Sequence, residues 1–289
     1  MDGHRDGKWE SAKYWTTPAL AGGNLLTARF REQRFGRHWH DTYVIALILS
    51  GAQQYWYRGR WCTAPRGTLV VINPGEVHTG ESGTASGWAY RAFYPTTDWT
   101  RDLRSTPASR AHSLPWFPET PIDDKALVQR LTAAHRLLER GEDLLEAETR
   151  LLSAWDCLVG GYAMDRSPLA YLSRDPARVA CMQSRLADDP TEAMTLTRLG
   201  ADVGLSPWHA ARIFAQGVGM PPHAWRNQLR VVRAIGLLRD GASVAEASTA
   251  VGFFDQSHFT RHFKRAYGVP PSTLAQALSR DHTRNRING

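Results

Sequence analysis

Apolar positions along the chain follow two rhythms. Between Arg29 and about Phe93 they gather in short runs, Tyr43 to Leu49, Gln53 to Tyr57, Gly67 to Ile72 and Trp88 to Tyr94. Turn residues punctuate these runs: Ser50-Gly51, Arg58-Gly59, Pro65-Arg66-Gly67, Asn73-Pro74-Gly75 and the stretch from Gly80 to Gly87. Such spacing predicts an antiparallel all-β sandwich or small barrel. After Pro121 the rhythm changes. Leu127, Leu131, Ala134, Leu138, Leu145, Leu152, Trp155 and Leu158 recur at three, four and seven residue steps, which predicts amphipathic helix, and Gly141 is placed to break it in two. That stripe either packs on the β-domain or forms a dimerising helix pair. Residues 163–175 carry no periodicity and serve as a linker. Asp175-Pro176 then supplies an N-cap and a proline at the first helical position, opening a new helical domain.

That last third contains an internal repeat. Val203-Gly-Leu-Ser-Pro-Trp-His-Ala-Ala-Arg-Ile-Phe214, running on to Gly219-Met-Pro-Pro222, recurs as Val251-Gly-Phe-Phe-Asp-Gln-Ser-His-Phe-Thr-Arg-His-Phe263, running on to Gly268-Val-Pro-Pro271. The later copy has one extra residue after its first glycine, and beyond it Arg212 falls on Arg261, Phe214 on Phe263 and Gly219 on Gly268 at an offset of 49. Each copy has the grammar of a helix-turn-helix. In the later one Ser243-Val-Ala-Glu246 forms a capping box, Gly252 makes the turn and Asp255 caps the second helix. In the earlier one Leu196 to Val203 is the first helix, Gly204 turns, and Ser206-Pro207 starts the second.

Helical geometry sorts the faces of these second helices. Ala210, Ile213 and Phe214, and likewise Phe259, His262 and Phe263, fall where packing is expected. Trp208 and Arg212, one turn apart, share the opposite face of the first unit, and Gln256, Ser257, Thr260 and Arg261 occupy that of the second. Arginine can bind guanine O6 and N7 bidentately and glutamine can do the same to adenine, so these residue types suit base reading in a major groove. The bland alternative makes both arginines solvated surface charges and Trp208 a core residue. Between the units, Pro222 to Leu238 predicts a helix with Trp225, Leu229, Val232 and Ile235 inward and Arg226, Arg230 and Arg233 facing away. Its length, about 25 Å, would hold the two recognition helices apart so that one chain reads two successive major-groove faces, roughly 34 Å along the duplex.

Charge sharpens this picture. Of the formal net charge of +7, residues 176–289 hold 14 Lys+Arg against 8 Asp+Glu, so the preceding 175 residues are nearly neutral. A basic third on a neutral body fits a domain that meets an anion such as nucleic acid, although a solvated basic face gives the same count. The chain length of 289 residues accommodates two domains. The longest apolar run is far short of the about 20 residues a spanning helix needs, and the polar start MDGHRDGKWE does not resemble a signal peptide, so a cytoplasmic location and no membrane association are expected. Cys62, Cys157 and Cys181 lack any C-x-x-C spacing and are expected to be reduced, mostly buried fillers. Nine of the 11 tryptophans precede residue 176, and most are expected in the core, with some free to line a pocket.

The stretch from about Arg178 to Gln276 resembles the DNA-binding domain of AraC/XylS-type transcriptional regulators. The twin motifs, the linking helix and the Phe259-x-x-x-Phe263-Lys264-Arg265-x-x-Gly268-x-x-Pro271 pattern carry that resemblance. It implies base contacts from Trp208, Arg212, Gln256, Ser257 and Arg261. One departure stands after the last proline, where Leu274-Ala275-Gln276 replaces the family's aromatic-Arg pair. The amino-terminal half resembles the cupin-like sensory domain often fused to such a unit, on the strength of His38-x-His40, the hairpin near Tyr57-Arg-Gly-Arg60, and Gly67-x6-Pro74-Gly75-x-x-His78. Strand alternation puts His38 and His40 on one face, and His78 could supply a third imidazole. Metal-binding cupins add a glutamate that Thr42, Val44 and Ala46 do not provide, which favours an organic-ligand pocket, with a metal site or merely structural histidines as the alternatives.

The expected protein is therefore multidomain: an N-terminal all-β cupin-like barrel (1–120) with following helices (121–162), a linker (163–175), and a C-terminal all-α domain (176–278) of two helix-turn-helix units at about 195–216 and 243–267, then a basic tail (279–289). It is expected to be a non-enzymatic, sequence-specific DNA-binding regulator responding to a small-molecule effector through His38, His40 and His78. No cofactor and no bound metal are expected. Expected partners are double-stranded promoter DNA, the effector, a second copy in a homodimer, and RNA polymerase if it activates. The rival reading is a metal-dependent cupin enzyme or metal sensor fused to a DNA-binding domain.

Overall fold

The structure, a computed structural model, describes residues 10–104, 114–141, 143–164 and 175–278. Most of the expected linker and the whole basic tail lie outside the described residues. The strands come first: β1 (Ser11–Trp15), β2 (Asn24–Phe30), β3 (Phe35–His38), β4 (Val44–Ser50), β5 (Ala52–Tyr57), β6 (Arg60–Pro65), β7 (Leu69–Ile72), β8 (His78–Ser82) and β9 (Trp88–Tyr94). They form two facing sheets, ordered β1-β2-β9-β4-β7 and β3-β8-β5-β6, with antiparallel pairing throughout.

The unbroken apolar run at β4 follows from burial on both faces. Val44, Ala46 and Ile48 point into the barrel with Leu26, Ala28, Val70 and Tyr90, while Tyr43, Ile45 and Leu47 point outward into a second core. A strand covered on both sides has no polar positions to alternate with. The outer cover is α2 (Lys125–Arg140) and α3 (Leu144–Tyr162), preceded by the short α1 (Thr97–Arg104).

Gly141, at φ 67, closes α2 by donating its N–H to Leu137 O, and Asp143 caps a fresh helix. Because α3 restarts there, its buried face is Ala147, Leu151, Ala154, Trp155 and Leu158. Leu145 and Leu152, expected in one stripe with Trp155 and Leu158, are instead exposed, Leu145 by 76%. The periodicity of α2 does not carry through a left-handed cap. Of the cysteines only Cys62 is buried, so the expectation of mostly buried fillers fails for Cys157 and Cys181. Trp88, Trp155, Trp39 and Trp116 are core, whereas Trp61 is exposed.

The last third is helical: α4 (Pro176–Asp188), α5 (Leu196–Ala201), α6 (Pro207–Val218), α7 (Pro222–Arg239), α8 (Val244–Ala250), α9 (Gln256–Tyr267), and α10 over 271–278. Side chains of Asp175, Thr195, Ser206, Ser243 and Asp255 accept the first free N–H groups of α4, α5, α6, α8 and α9, and Ser243 with Glu246 forms the full capping box. The α7 helix is not amphipathic in the simple sense. It buries Trp225, Gln228, Arg230, Val231, Val232, Ala234, Ile235 and Leu238, because it is flanked by both helix-turn-helix units and by the barrel. Arg230, expected to face away, is buried: its Nε donates to Pro190 O at 2.8 Å and its guanidinium lies near the Phe253 ring. Leu274 and Leu278 are buried, so α10 packs despite lacking the aromatic-Arg pair.

Both units dock on the barrel through their repeated glycines. Gly219 (φ 88) and Gly268 (φ 73) terminate α6 and α9 in the left-handed conformation that a side chain disfavours. A Cβ would lie 3.2 Å from the Trp56 ring at Gly219 and 2.8 Å from the Phe35 ring at Gly268. Arg37 donates to Gly219 O at 2.7 Å, Gln228 to Trp39 O at 2.9 Å, and the Tyr14 hydroxyl to Tyr267 O at 3.0 Å. Trp39 stacks on Trp225 with centroids 5.7 Å apart.

Between barrel and α2, the fully buried His135 takes a hydrogen bond at Nδ1 from Arg91, 2.8 Å away, and its Nε2 lies 3.3 Å from Ala92 O. Burial, then the Arg91 charge, push its pKa down to about 3 from the ordinary 6.5. The unfolded chain therefore takes up a proton that the folded one refuses, and stability present above pH 6.5 is lost as pH falls from there towards 3. For His135→Gln, urea titrations from pH 7 to 4 should show a smaller stability loss on acidification, by about 1.4 kcal/mol for each pH unit below 6.5. An unchanged slope would show that His135 is not what resists acid.

Candidate functional site

The structure separates α6 and α9 into buried and open faces. Ala210 and Phe214 of α6, and Phe259 and Phe263 of α9, are fully buried, while Ile213 and His262 are half-buried. Opposite them, Trp208 is 71% exposed, which removes it from the core, and Arg212 lies beside it with its guanidinium 5.1 Å from the indole centroid. On α9, Gln256, Ser257 and Arg261 are exposed and Thr260 is half-buried. The structure thus places all six sequence-derived contact residues on two short helices, with two in α6 and four in α9. Phe254, the extra residue of the second unit, is 95% exposed immediately before the Asp255 cap, and sequence reasoning gave it no role.

The second constellation lies inside the barrel. His38 on β3 pairs directly across from His78 on β8, and His40 follows one alternation later on the same side. All three are buried, with one ligand nitrogen from each within 4.8 Å of the others. Ring centroids are 4.3 Å apart for His38–His78, 4.9 Å for His38–His40 and 5.4 Å for His40–His78. His38 Nδ1 is 2.7 Å from Gly36 O and His78 Nδ1 is 3.0 Å from Glu76 O. A carbonyl can only accept, so both rings carry their proton on Nδ1 and turn an Nε2 lone pair elsewhere. Burial is the main cause holding all three below the ordinary histidine range, His78 at about 4, so they are neutral at pH 7.

The space beside them is a cavity of about 40 Å³, bordered by Tyr14, Gln53, Tyr55, Tyr90 and Tyr94, and by Ala266 of α9. His40 meets Tyr94 edge-on at 5.5 Å and Tyr267 at 5.0 Å. Tyr267 was missed from sequence, where the packing face of α9 was read only as far as Phe263. Its signal was the next step of the same stripe, four residues on. A far larger cavity, about 810 Å³, opens outside the barrel between Arg37, Trp56 and Arg58 on one side and Val179, Gln183 and Gly217 on the other. Arg58 is fixed there by Glu76 Oε1 at 2.8 Å and by Pro118 O at 2.8 Å, and Tyr57 and Asn73 donate to the same carboxylate. No helix among the described residues is long and apolar enough to cross a membrane.

Comparison with known proteins agrees with this geometry. Residues 21–154 match the family model of the AraC-like ligand binding domain, and residues 199–277 that of a helix-turn-helix domain. The uncharacterized HTH-type transcriptional regulator YbfI of Bacillus subtilis is 27% identical over 229 residues, 78% of this chain and 82% of its own. The HTH-type transcriptional activator RhaS of Escherichia fergusonii is 25% identical over 268 residues, 90% of this chain and 94% of its own. Among solved structures, ToxT from Vibrio cholerae superposes with a TM-score of 0.52 at 11% identity, covering 94% of this chain and 99% of that one, a likeness of fold. With a ligand-binding barrel joined to a twin helix-turn-helix domain, and with relatives that regulate transcription rather than catalyse a reaction, the chain belongs to the AraC-type transcriptional regulators.

Proposed function

We propose that this regulator reads its DNA site through Trp208 and Arg212 of α6 and Gln256, Ser257, Thr260 and Arg261 of α9, each helix lying in a major groove. The observation that carries the reading is the matched register of the two units: after an identical pair of buried positions, Ala210/Phe214 and Phe259/Phe263, each leaves a polar or aromatic face in solvent, with Arg212 and Arg261 at equivalent places. Arg212 is held along the Trp208 ring, which limits its rotamers before DNA arrives. The functional division follows the sequence: a sensory barrel over 1–120, helices over 121–162, a linker over 163–175 and a reading domain over 176–278. Its place of action is the cytoplasm, where promoter DNA is found, and contact with RNA polymerase belongs to any activating role.

The protein acts as a homodimer through α3. Leu144, Leu145 and Leu152 are exposed on that helix, while its opposite side is sealed against α2 and the barrel. Exposed leucines two turns apart on a helix otherwise fixed in a core are suited to burial against a second copy.

Arg212→Ala or Arg261→Ala should each cost about 1 to 3 kcal/mol on a duplex selected by the full-length protein and relax base preference at one position, with little change on random DNA. Equal losses on selected and random duplexes would count against base reading. Affinity for the selected duplex should also fall steeply with salt, since phosphate contacts release counterions. For the dimer, Leu145→Glu should turn a dimer into a monomer in sedimentation at unchanged melting temperature. A dimer that survives the substitution would place the interface elsewhere.

A further inference from the structure

The turn of the second helix-turn-helix unit is one residue longer than that of the first. Leu205 and Ser206 correspond to Phe253 and Asp255, which makes Phe254 the insertion. Its side chain is 95% exposed, more than Trp208 or Leu196, the other exposed large apolar groups among the described residues after 175. A phenyl group so placed adds nothing to the core, and the turn around it is nonetheless firmly built.

Both neighbours of Phe254 are pinned. Phe253 is buried, its N–H donates to Ser248 O at 3.1 Å, and its ring centroid lies 5.3 Å from those of His258 and Phe259. Asp255 accepts the His258 N–H at 2.6 Å, and the Ser248 hydroxyl donates to Asp255 O at 3.4 Å. With the backbone fixed on each side, only two side-chain torsions remain free at Phe254, so little conformational freedom is lost when a partner covers it.

The surroundings select that partner. Phe254 stands two residues before Gln256 and three before Ser257, at the end of α9 whose residues reach base edges when such a helix enters a major groove. From 251 to 271 the chain carries Arg261, Lys264 and Arg265 against a single acid, Asp255, whose carboxylate is turned onto its own helix. A basic surface of this kind favours a polyanion. In the major groove the hydrogen-bonding edges suit Gln256, Ser257 and Arg261, and the one apolar group displayed there is the C5 methyl of thymine, which a phenyl ring can contact.

We propose that Phe254 is a specificity-determining residue that packs on the C5 methyl of a thymine next to the bases met by α9. The first unit, without the insertion, makes no such contact from its turn. This deepens the base-reading assignment of α9 given above and rests on it.

The test compares thymine with uracil at each thymine of a duplex selected by the full-length protein, because the exchange removes the methyl and leaves the hydrogen-bonding groups of the base in place. At one thymine, in the half of the site where Arg261→Ala relaxes base preference, uracil should weaken binding by about four-fold, the worth of one buried methyl-sized group. Phe254→Ala should bind the two duplexes alike at that position, whereas Arg261→Ala should keep the four-fold difference, a coupling that a structural role for Phe254 would not produce. The thermal melting of Phe254→Ala should match the parent's. Uracil tolerated at every thymine, a selected half-site without thymine, or a thymine preference that survives Phe254→Ala overturns the proposal. So does a variant with unchanged duplex affinity that fails only to recruit RNA polymerase, which would assign the ring to a protein contact. If Arg261→Ala relaxes no position either, or no duplex is selected, the base-reading assignment of α9 falls and this contact falls with it.

Discussion

The structure depends on a shared core. The barrel is not a closed body to which a DNA-binding domain is tethered: Phe259, Phe263, Ala266 and Tyr267 of α9 join the same continuous cluster as Ala46, Ile72, Tyr90 and Tyr94 of the barrel. Fully burying one such aromatic contributes about 1.5 to 3 kcal/mol, so pulling α9 from the barrel in this arrangement exposes several of them at once. The barrel and α9 are thereby parts of one core.

The two units are docked differently, and this follows from the repeat. Gly219 and Gly268 end α6 and α9, the second helix of each unit, and each admits an aromatic ring of the barrel, Trp56 and Phe35 respectively. The first unit belongs to a separate cluster with Trp39, Val77 and Trp225, and the large cavity lies along its border with the barrel. The second closes the barrel's mouth at Tyr267. Between them α7 is buried on several sides and carries Arg230 inside, held by a backbone carbonyl. Such a helix is a rigid spacer because bending it would break both clusters.

Much of this was legible in the sequence for definite reasons. The caps at Asp175, Ser206, Ser243 and Asp255 are local interactions between residues three apart, and local chemistry survives without knowledge of the fold. The exposed faces of α6 and α9 followed from the 3.6-residue period and from recurrence at an offset of 49. The histidine trio was visible in part: alternation joined His38 to His40, and Trp39 between them turns outward to stack on Trp225. Lost were features that depend on partners far along the chain. β3, β6 and β8 read poorly because they are short or half-exposed, as in Arg60–Pro65, where Arg60, Trp61, Thr63 and Pro65 are exposed. The phase of α3 was misread because a cap resets it, and Arg230 was misplaced and Tyr267 missed because the surfaces that bury them are contributed by other elements. The size of the barrel's cavity is a property of packed tyrosines that no motif records.

In the proposed function one chain presents α6 and α9 to DNA at a fixed separation set by α7. Hydroxyl-radical footprinting of the full-length protein on a selected duplex reads that separation. Each bound chain should protect two patches on one face of the DNA, about one helical turn apart. A single protected patch for each chain, with the second helix-turn-helix unit leaving no mark, would contradict it.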